Sequence, residues 1–459
     1  MQILAQISKE LKEIQYSVDA VDLINYGKDW TDFYPPNPTC IFFPKTTKEV
    51  QQIVQFAVKH NIGVVPSGGR TGLSGGAVAY NNEIVISLDK MNKVLGFNSV
   101  NQSVEVEAGL ITEELQIFAE NKNLYYPLDF ASKGSSQIGG NIATNAGGIK
   151  VVKYGLTRNW VIGLEIVTGK GEILQLNNGL LKNATGYDLR HLFIGSEGTL
   201  GIITKATIQL TKKPKNITVL LFAVPDFKNI IPILERFRNN IEINAFEFFS
   251  DLALTYSIKL GDRKKPLSEE STYYVLIEYE KLSDEIQQKV EKITIDLYEK
   301  EMIVDDIVGQ QEQEIRNIWA YRENIAESLA PYTPYKNDVS VLTSDIPYFI
   351  EEASAILQEH YPNFDVIWYG HIADGNIHIN ILKPKELNKV EFKAKCDVIT
   401  KHLFTLIKKY KGSISAEHGV GLLKKNYLNY SRSEAELVYL KVIKDAFDPT
   451  GIMNPGKLL

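Results

Sequence analysis

From Val64 to Ala77 the chain reads VVPSGGRTGLSGGA, an apolar run that gives way to five glycines in nine residues. So much glycine cannot continue a strand or start a helix. It leaves a loop whose successive backbone N–H groups can converge on an anion, because no side chain blocks the approach or forbids positive φ. On its own such a loop is more often an ordinary turn, and two further glycine segments decide the matter: PLDFASKGSSQIGGNIATNAGG from Pro127 and FIGSEGTLGIIT from Phe193. Neither GxGxxG nor GxxxxGK[ST] occurs, so a Rossmann dinucleotide site and a P-loop are both unsupported. A different pyrophosphate cradle is required.

At 459 residues the chain exceeds what one core fills, which predicts two or three domains. A net charge of −6 and a pI near 5.8 argue against a nucleic-acid partner, which needs a basic face. Cys40 and Cys396 stand far apart without CxxC spacing, so neither a disulfide framework nor a cysteine zinc site is expected, and a reducing compartment fits. Ile3, Ile7, Leu11 and Ile14 share one helical face in a start that already carries Glu10 and Glu13, the pattern of a docking helix rather than a targeting peptide. No apolar run reaches the ~18 residues that span a bilayer. The expected location is cytoplasmic, with peripheral membrane association open. PPNP at Pro35 and KKPK at Lys212 punctuate the chain. The expected division is a helical segment 1–36, a glycine-rich domain 37–213, a domain 214–412 with longer strands and helices, and a closing segment 413–459.

VIWYGHIADGNIHINIL, from Val366 to Leu382, is two apolar runs around Asp-Gly, the strongest short hairpin signal. A two-residue turn at Asp374 and Gly375 predicts that His371 faces His378 directly, about 5 Å apart at Cβ and able to chelate one ion. Tyr369 and Asn380 fall on the same face; Trp368, Ile372, Ile377 and Ile379 turn to the other, which predicts one polar face and one core face. A lone histidine in a sheet is usually just a satisfied polar residue. Here a facing pair stands beside Asn380, and Glu417 and His418 follow in SAEHGVG. Two imidazoles and a carboxylate form a facial ligand set that zinc, manganese or iron accepts.

The three glycine segments, in this order and spacing, resemble the FAD-binding domain of the vanillyl-alcohol oxidase superfamily. The resemblance implies an α+β fold: an FAD-binding domain, an α+β cap with a large antiparallel sheet, and a C-terminal helical segment. It further implies FAD held by Pro66, Ser67, Gly68, Gly69, Arg70, Thr71 and Gly72 at the pyrophosphate, and by Ser135, Gly139, Gly140, Asn141, Thr144 and Gly148 toward the isoalloxazine edge. Gly201 and Ile202 fall on the adenine or ribose side, and Asn454 belongs to the terminal NPGK. Relatives with covalent flavin use a His or Cys in the first loop; Arg70 and Thr71 stand there, so non-covalent FAD is expected.

GHIADGNIH, EHGVG and NPGK, in this order, resemble the second half of the D-lactate and D-2-hydroxyglutarate dehydrogenase group of that superfamily. The resemblance implies a D-2-hydroxy acid substrate whose C2 hydride passes to flavin. It makes His371, His378 and Glu417 ligands of a divalent metal, zinc before manganese, with Asn380 on the substrate carboxylate and His418 as the base. Where the D-2-hydroxyglutarate enzymes hold the distal carboxylate with Arg, Thr and Lys, this chain has Arg322, Ala326 and Lys336. On a continuous helix Arg322 and Ala326 would share a face. D-2-hydroxyglutarate is therefore the expected substrate, with D-lactate or glycolate as the alternative. A metallohydrolase on the same histidines is the reading from another class. The electron acceptor (a quinone, an electron-transfer flavoprotein or a cytochrome) leaves no motif, and relatives suggest a homodimer.

Overall fold

The structure is a computed structural model describing residues 2–31 and 33–459. The chain forms two compact units, one from Met1–Gly147, Gly155–Lys213 and Glu417–Leu459, the other from Gly148–Tyr154 and Pro214–Ala416.

In the first unit, helix α1 (Gln2–Glu10) leads into a four-stranded sheet of β1 (Tyr16–Ser17), β2 (Cys40–Phe42), β3 (Val64–Ser67) and β4 (Ile84–Ser87), ordered β1-β2-β4-β3. Strands β2, β4 and β3 are parallel, so crossovers cover their faces and the strands read as unbroken apolar runs. Helix α2 (Thr47–His60) makes one crossover. Thr46 caps it by accepting from the Glu49 amide, and left-handed Asn61 closes it. A second, antiparallel sheet contains β5 (Val94–Asn98), β6 (Ser103–Glu107), β7 (Val161–Thr168), β8 (Ile173–Leu176) and β9 (Gly201–Gln209), ordered β5-β6-β9-β7-β8. Phe42, Val54, Val64 and Ile84 share one core with Val104, Val106, Ile166 and Ile203 of the second sheet. Helix α1 ends at Glu10, so Leu11 and Ile14 lie beyond it rather than on one helical face with Ile7, but all three are buried in that core. So is Met453, which bridges Val64 in parallel at the sheet edge.

The second unit is built on seven antiparallel strands: β10 (Ile217–Val224), β11 (Ile243–Ser250), β12 (Tyr273–Glu280), β13 (Asp305–Gly309), β14 (Tyr335–Ser340), β15 (Val366–Gly370) and β16 (Asn376–Ile381). Their order is β13-β10-β12-β11-β15-β16-β14. This is the large antiparallel sheet expected of the α+β cap. Every residue of β11 is buried, so helices cover both faces. Across one face, Val219, Ala245, Phe249, Leu276, Ile367 and Tyr369 pack with Ile318, Trp319 and Ile325. The first two of these last three lie on helix α3 (Glu312–Glu323). No helix among the described residues is long and apolar enough to cross a membrane.

Candidate active site

In the first unit the glycine loop leaves the end of β3. The amides of Gly68, Gly69, Arg70 and Thr71 have no acceptor among the described residues, and Arg70 takes a left-handed φ of 59°. The Arg70 guanidinium folds back on the Gly68 carbonyl at 2.9 Å and over the Tyr26 ring at 4.4 Å. A Cβ on Gly69 would lie 2.1 Å from the Ser135 carbonyl oxygen, so the first and second glycine segments are in backbone contact and only glycine fits. A Cβ on Gly140 would meet nothing within 4 Å. Asn141 is buried and donates to Thr112 Oγ1 at 2.6 Å, while the Thr144 hydroxyl bonds back to the Gly140 carbonyl at 3.1 Å. Gly201 is glycine because the Val167 carbonyl would crowd a Cβ at 2.5 Å, and its neighbour Ile202 is buried. Gly139 and Ser67 are likewise buried in the fold, whereas Gly148 opens the short segment assigned to the second unit.

The third glycine segment and the C-terminal motifs meet the first loop. Gly198 packs on Pro66, where a Cβ would come within 2.8 Å of the ring. Asn454 donates to the carbonyls of Gly76 at 2.8 Å and Glu197 at 2.7 Å. The buried Glu197 carboxylate accepts from the amides of Val420 and Gly421, both at 2.7 Å, and the Ser74 carbonyl accepts from Leu422 and Leu423. The EHGVG loop is thus fastened by groups that the sequence reading did not single out. Within it, His418 Nε2 lies 3.5 Å from Glu417 Oε1, and both side chains are about one-fifth exposed.

Lys457 of the NPGK motif is fully buried, its ammonium without a hydrogen-bond partner among the described residues and 3.9 Å from Glu83. Burial lowers its pKa from 10.5 to about 8. A depressed lysine binds fewer protons folded than unfolded between those two values, so stability rises with pH through that window and the penalty is complete below it. Lys457→Met should therefore stabilise the protein at pH 7, by ~3 kcal/mol at most, with the gain vanishing toward pH 10.5. Denaturant midpoints of both proteins at the two pH values check this; an equal gain at both would refute it.

In the second unit the hairpin departs from its predicted register. Tyr369, not His371, faces His378, and Val366 faces Ile381. The chain inserts a 3₁₀ turn, Ile372–Asp374, closed by left-handed Gly375 at φ 87°. The connection is thus a four-residue loop rather than an Asp-Gly two-residue turn, the His371 carbonyl accepting from both Asp374 and Asn376. A shift of two residues preserves the face of every side chain, so the two imidazoles still meet, with ring centroids 5.4 Å apart at 83°.

The face that carries them is not a separate polar surface, as predicted, but a polar island in a core face that also holds Ile367 and Phe249. His371, His378 and Asn380 are at most 8% exposed. Asn380 donates to Tyr369 OH at 3.0 Å and faces Lys336 across β14 and β16. Asp338 on β14 faces His378, its carboxylate 3.7 Å from Nδ1, and accepts from Asn376 Nδ2 at 2.8 Å. Burial lowers the pKa of the Lys336 ammonium.

Arg322 reaches this face from α3, which Trp319 anchors by donating to Glu278 at 2.9 Å; Lys150 lies 3.0 Å from the same carboxylate. The guanidinium lies over the Tyr369 ring at 4.8 Å, with Nη2 2.7 Å from Glu247 Oε2. The other oxygen of Glu247 lies 2.8 Å from His371 Nδ1. The helix ends at Glu323 and a new turn, Ile325–Ser328, begins after Asn324, where Ile325 enters the core. Arg322 and Ala326 therefore do not share one continuous helix as predicted. Neither Glu247 nor Asp338 was given a role from the sequence. For Glu247 the available signal was an ionisable residue inside a largely apolar strand, INAFEFFS, which is costly unless paired.

Residues 38–177 match the FAD binding domain family, and residues 213–458 match the C-terminal domain of FAD linked oxidases. A D-2-hydroxyglutarate dehydrogenase of Stutzerimonas stutzeri (strain A1501) is 51% identical over 96% of this chain and 95% of its own. A putative mitochondrial D-lactate dehydrogenase of Schizosaccharomyces pombe is 36% identical over 96% and 85%. Among solved structures, p-cresol methylhydroxylase with substrate bound superposes with a TM-score of 0.79 at 17% identity, covering 100% of this chain and 97% of that one. The 4-ethylphenol oxidase of Gulosibacter chungangensis gives 0.77 at 18% over the same shares. The matching family models are of FAD-linked proteins, and the two curated relatives bear the names of dehydrogenases. With both halves of the chain matched in order, this protein belongs to the FAD-linked oxidases, and its fold is that of the vanillyl-alcohol oxidase type.

Proposed function

We propose that this enzyme oxidises D-2-hydroxyglutarate to 2-oxoglutarate, using FAD and a divalent metal. The observation that carries the reading is the grouping of two cations, Arg322 and Lys336, with Asn380 and the imidazole pair around one buried face of the cap sheet. Relatives 51% and 46% identical over nearly the whole chain bear the name of that activity and support it. In this reading residues 37–213 carry the cofactor, 214–412 the substrate, and 413–459 supply Glu417 and His418.

The cradle fits FAD: consecutive amides at Gly68–Thr71 without protein acceptors suit a pyrophosphate, and Gly140 faces open space. Pro66, Ser67, Gly72, Ser135, Gly139, Asn141, Thr144, Gly148, Gly201, Ile202 and Asn454 complete the proposed cofactor set. His371, His378 and Glu417 fit a divalent ion in donor chemistry, and a carboxylate on His371 Nδ1 is the partner a ligating imidazole usually has. Zinc is the first choice and manganese the second. When bound, FAD would supply the hydride acceptor and the ion would supply positive charge. Asn380 orients the substrate carboxylate, Arg322 and Lys336 hold the distal one, and a ring nitrogen of His418 takes the 2-hydroxyl proton. An external acceptor then takes the electrons.

A screen of D-2-hydroxy acids with an artificial acceptor dye, with and without chelator, tests the proposal. Highest kcat/KM on D-2-hydroxyglutarate, lost on chelation, is expected; a clear preference for D-lactate would overturn the substrate. Because Arg70 and Thr71 stand where covalent relatives attach flavin, acid or heat denaturation should release free FAD. Yellow colour remaining with the precipitated chain would contradict a non-covalent cofactor.

A further inference from the structure

One carboxylate in the second unit touches both halves of the proposed substrate machinery. Glu247 lies on β11 with 1% of its surface exposed, Oε1 2.8 Å from His371 Nδ1 and Oε2 2.7 Å from Arg322 Nη2. We infer that Glu247 is a positioning residue that sets, with one side chain, the metal affinity of His371 and the orientation of the Arg322 fork. The inference rests on the assignment of His371 as a metal ligand.

The chemistry follows from the two contacts. A carboxylate on Nδ1 fixes the imidazole tautomer with the proton on that nitrogen, which makes Nε2 the ligating nitrogen and more basic. On the other side, Glu247 Oε2 forms an ion pair with the guanidinium at 2.7 Å that lacks hydrogen-bond geometry, while Tyr369 supports its face at 4.8 Å, so charge and stacking hold the fork. Arg322 Nε is buried with no hydrogen-bond partner among the described residues. An unmet donor on a fixed guanidinium is what an anionic ligand would satisfy. Because the two oxygens serve different partners, a carboxylate one methylene shorter cannot reach both.

Zinc affinity, measured on the flavin-loaded, chelator-stripped protein by competition with a chromophoric chelator, tests this without turnover. Glu247→Gln should weaken Zn²⁺ binding 10–100-fold, the range for loss of a ligand's hydrogen-bond partner. Adding Glu247→Gln to His371→Ala should weaken it no further than His371→Ala alone, since Glu247 acts through that ring. Perturbation of the flavin spectrum by glutarate, a dicarboxylate that cannot be oxidised, should need more ligand in Glu247→Gln than in the parent. Should Glu247→Gln fail to fold, Glu247→Asp keeps the charge and is expected to impair zinc binding or glutarate binding. Parental zinc affinity in Glu247→Gln, with His371→Ala weakened, would overturn the inference and leave the ligand assignment standing. Parental affinity in His371→Ala would instead remove the ligand assignment, and the inference with it.

Discussion

Replacing His418 with alanine is expected to lower the rate of flavin reduction by ~10²–10⁴-fold, the usual contribution of a positioned base, while the purified protein keeps its flavin and its metal. The loop that carries His418 is held by backbone groups on either side of the imidazole. Glu197 accepts from the Val420 and Gly421 amides, Ser74 from Leu422 and Leu423, and Gly419 takes the left-handed turn at φ 81°. His371→Ala and His378→Ala should show the complementary pattern: metal lost, flavin retained. Their strands belong to the second unit and its own core, whereas the glycine loops are held by the core of the first. Anaerobic stopped-flow reduction, with metal and flavin contents measured on the same preparations, separates these outcomes. Flavin reduction at the parental rate in His418→Ala would remove that residue from the chemistry.

What could be read from the sequence was whatever chemistry imposes on local spacing. Glycine loops declare themselves because unobstructed amides need glycine, and His371 and His378 because a strand pair repeats every two residues. That same periodicity is why a register error of two residues left the histidine pairing usable: parity survived although the opposite partner changed from His371 to Tyr369. The loop length was not legible, since Asp-Gly suits both a two-residue turn and the end of a 3₁₀ turn. Glu247, Asp338 and Glu197 were harder still. Each acts across more than 35 residues of chain, and a single acid in a strand or loop does not name its partner. Helix α3 ends at Glu323 and Ile325 of the following turn is buried in the core, neither of which helix periodicity between residues 322 and 326 encodes.

Substrate choice should respond to Arg322 and Ala326 in opposite directions. With Ala326 in place of the Thr hydroxyl of the D-2-hydroxyglutarate group, the distal carboxylate lacks one donor, worth ~0.5–1.5 kcal/mol for a neutral bond and somewhat more to a charge. Ala326→Thr should accordingly lower KM for D-2-hydroxyglutarate by roughly 3–10-fold with little change for D-lactate, which has no distal carboxylate. Arg322→Ala has two components. Losing the guanidinium fork penalises only the dicarboxylate, but it also leaves Glu247 buried beside His371 without its cation, and breaking a buried pair costs about 3–5 kcal/mol. That second component falls on the fold and on both substrates alike. The diagnostic quantity is therefore the ratio of kcat/KM for D-2-hydroxyglutarate to that for D-lactate, in which the shared loss cancels. A ratio lowered at least tenfold in Arg322→Ala is expected, since hydrogen bonds to a charged partner contribute about 1.5–3 kcal/mol. If the ratio stays at its parental value while both activities fall, Arg322 serves the carboxylate beside the reacting carbon or the structure around Glu247, and the dicarboxylate assignment loses its main support in this chain.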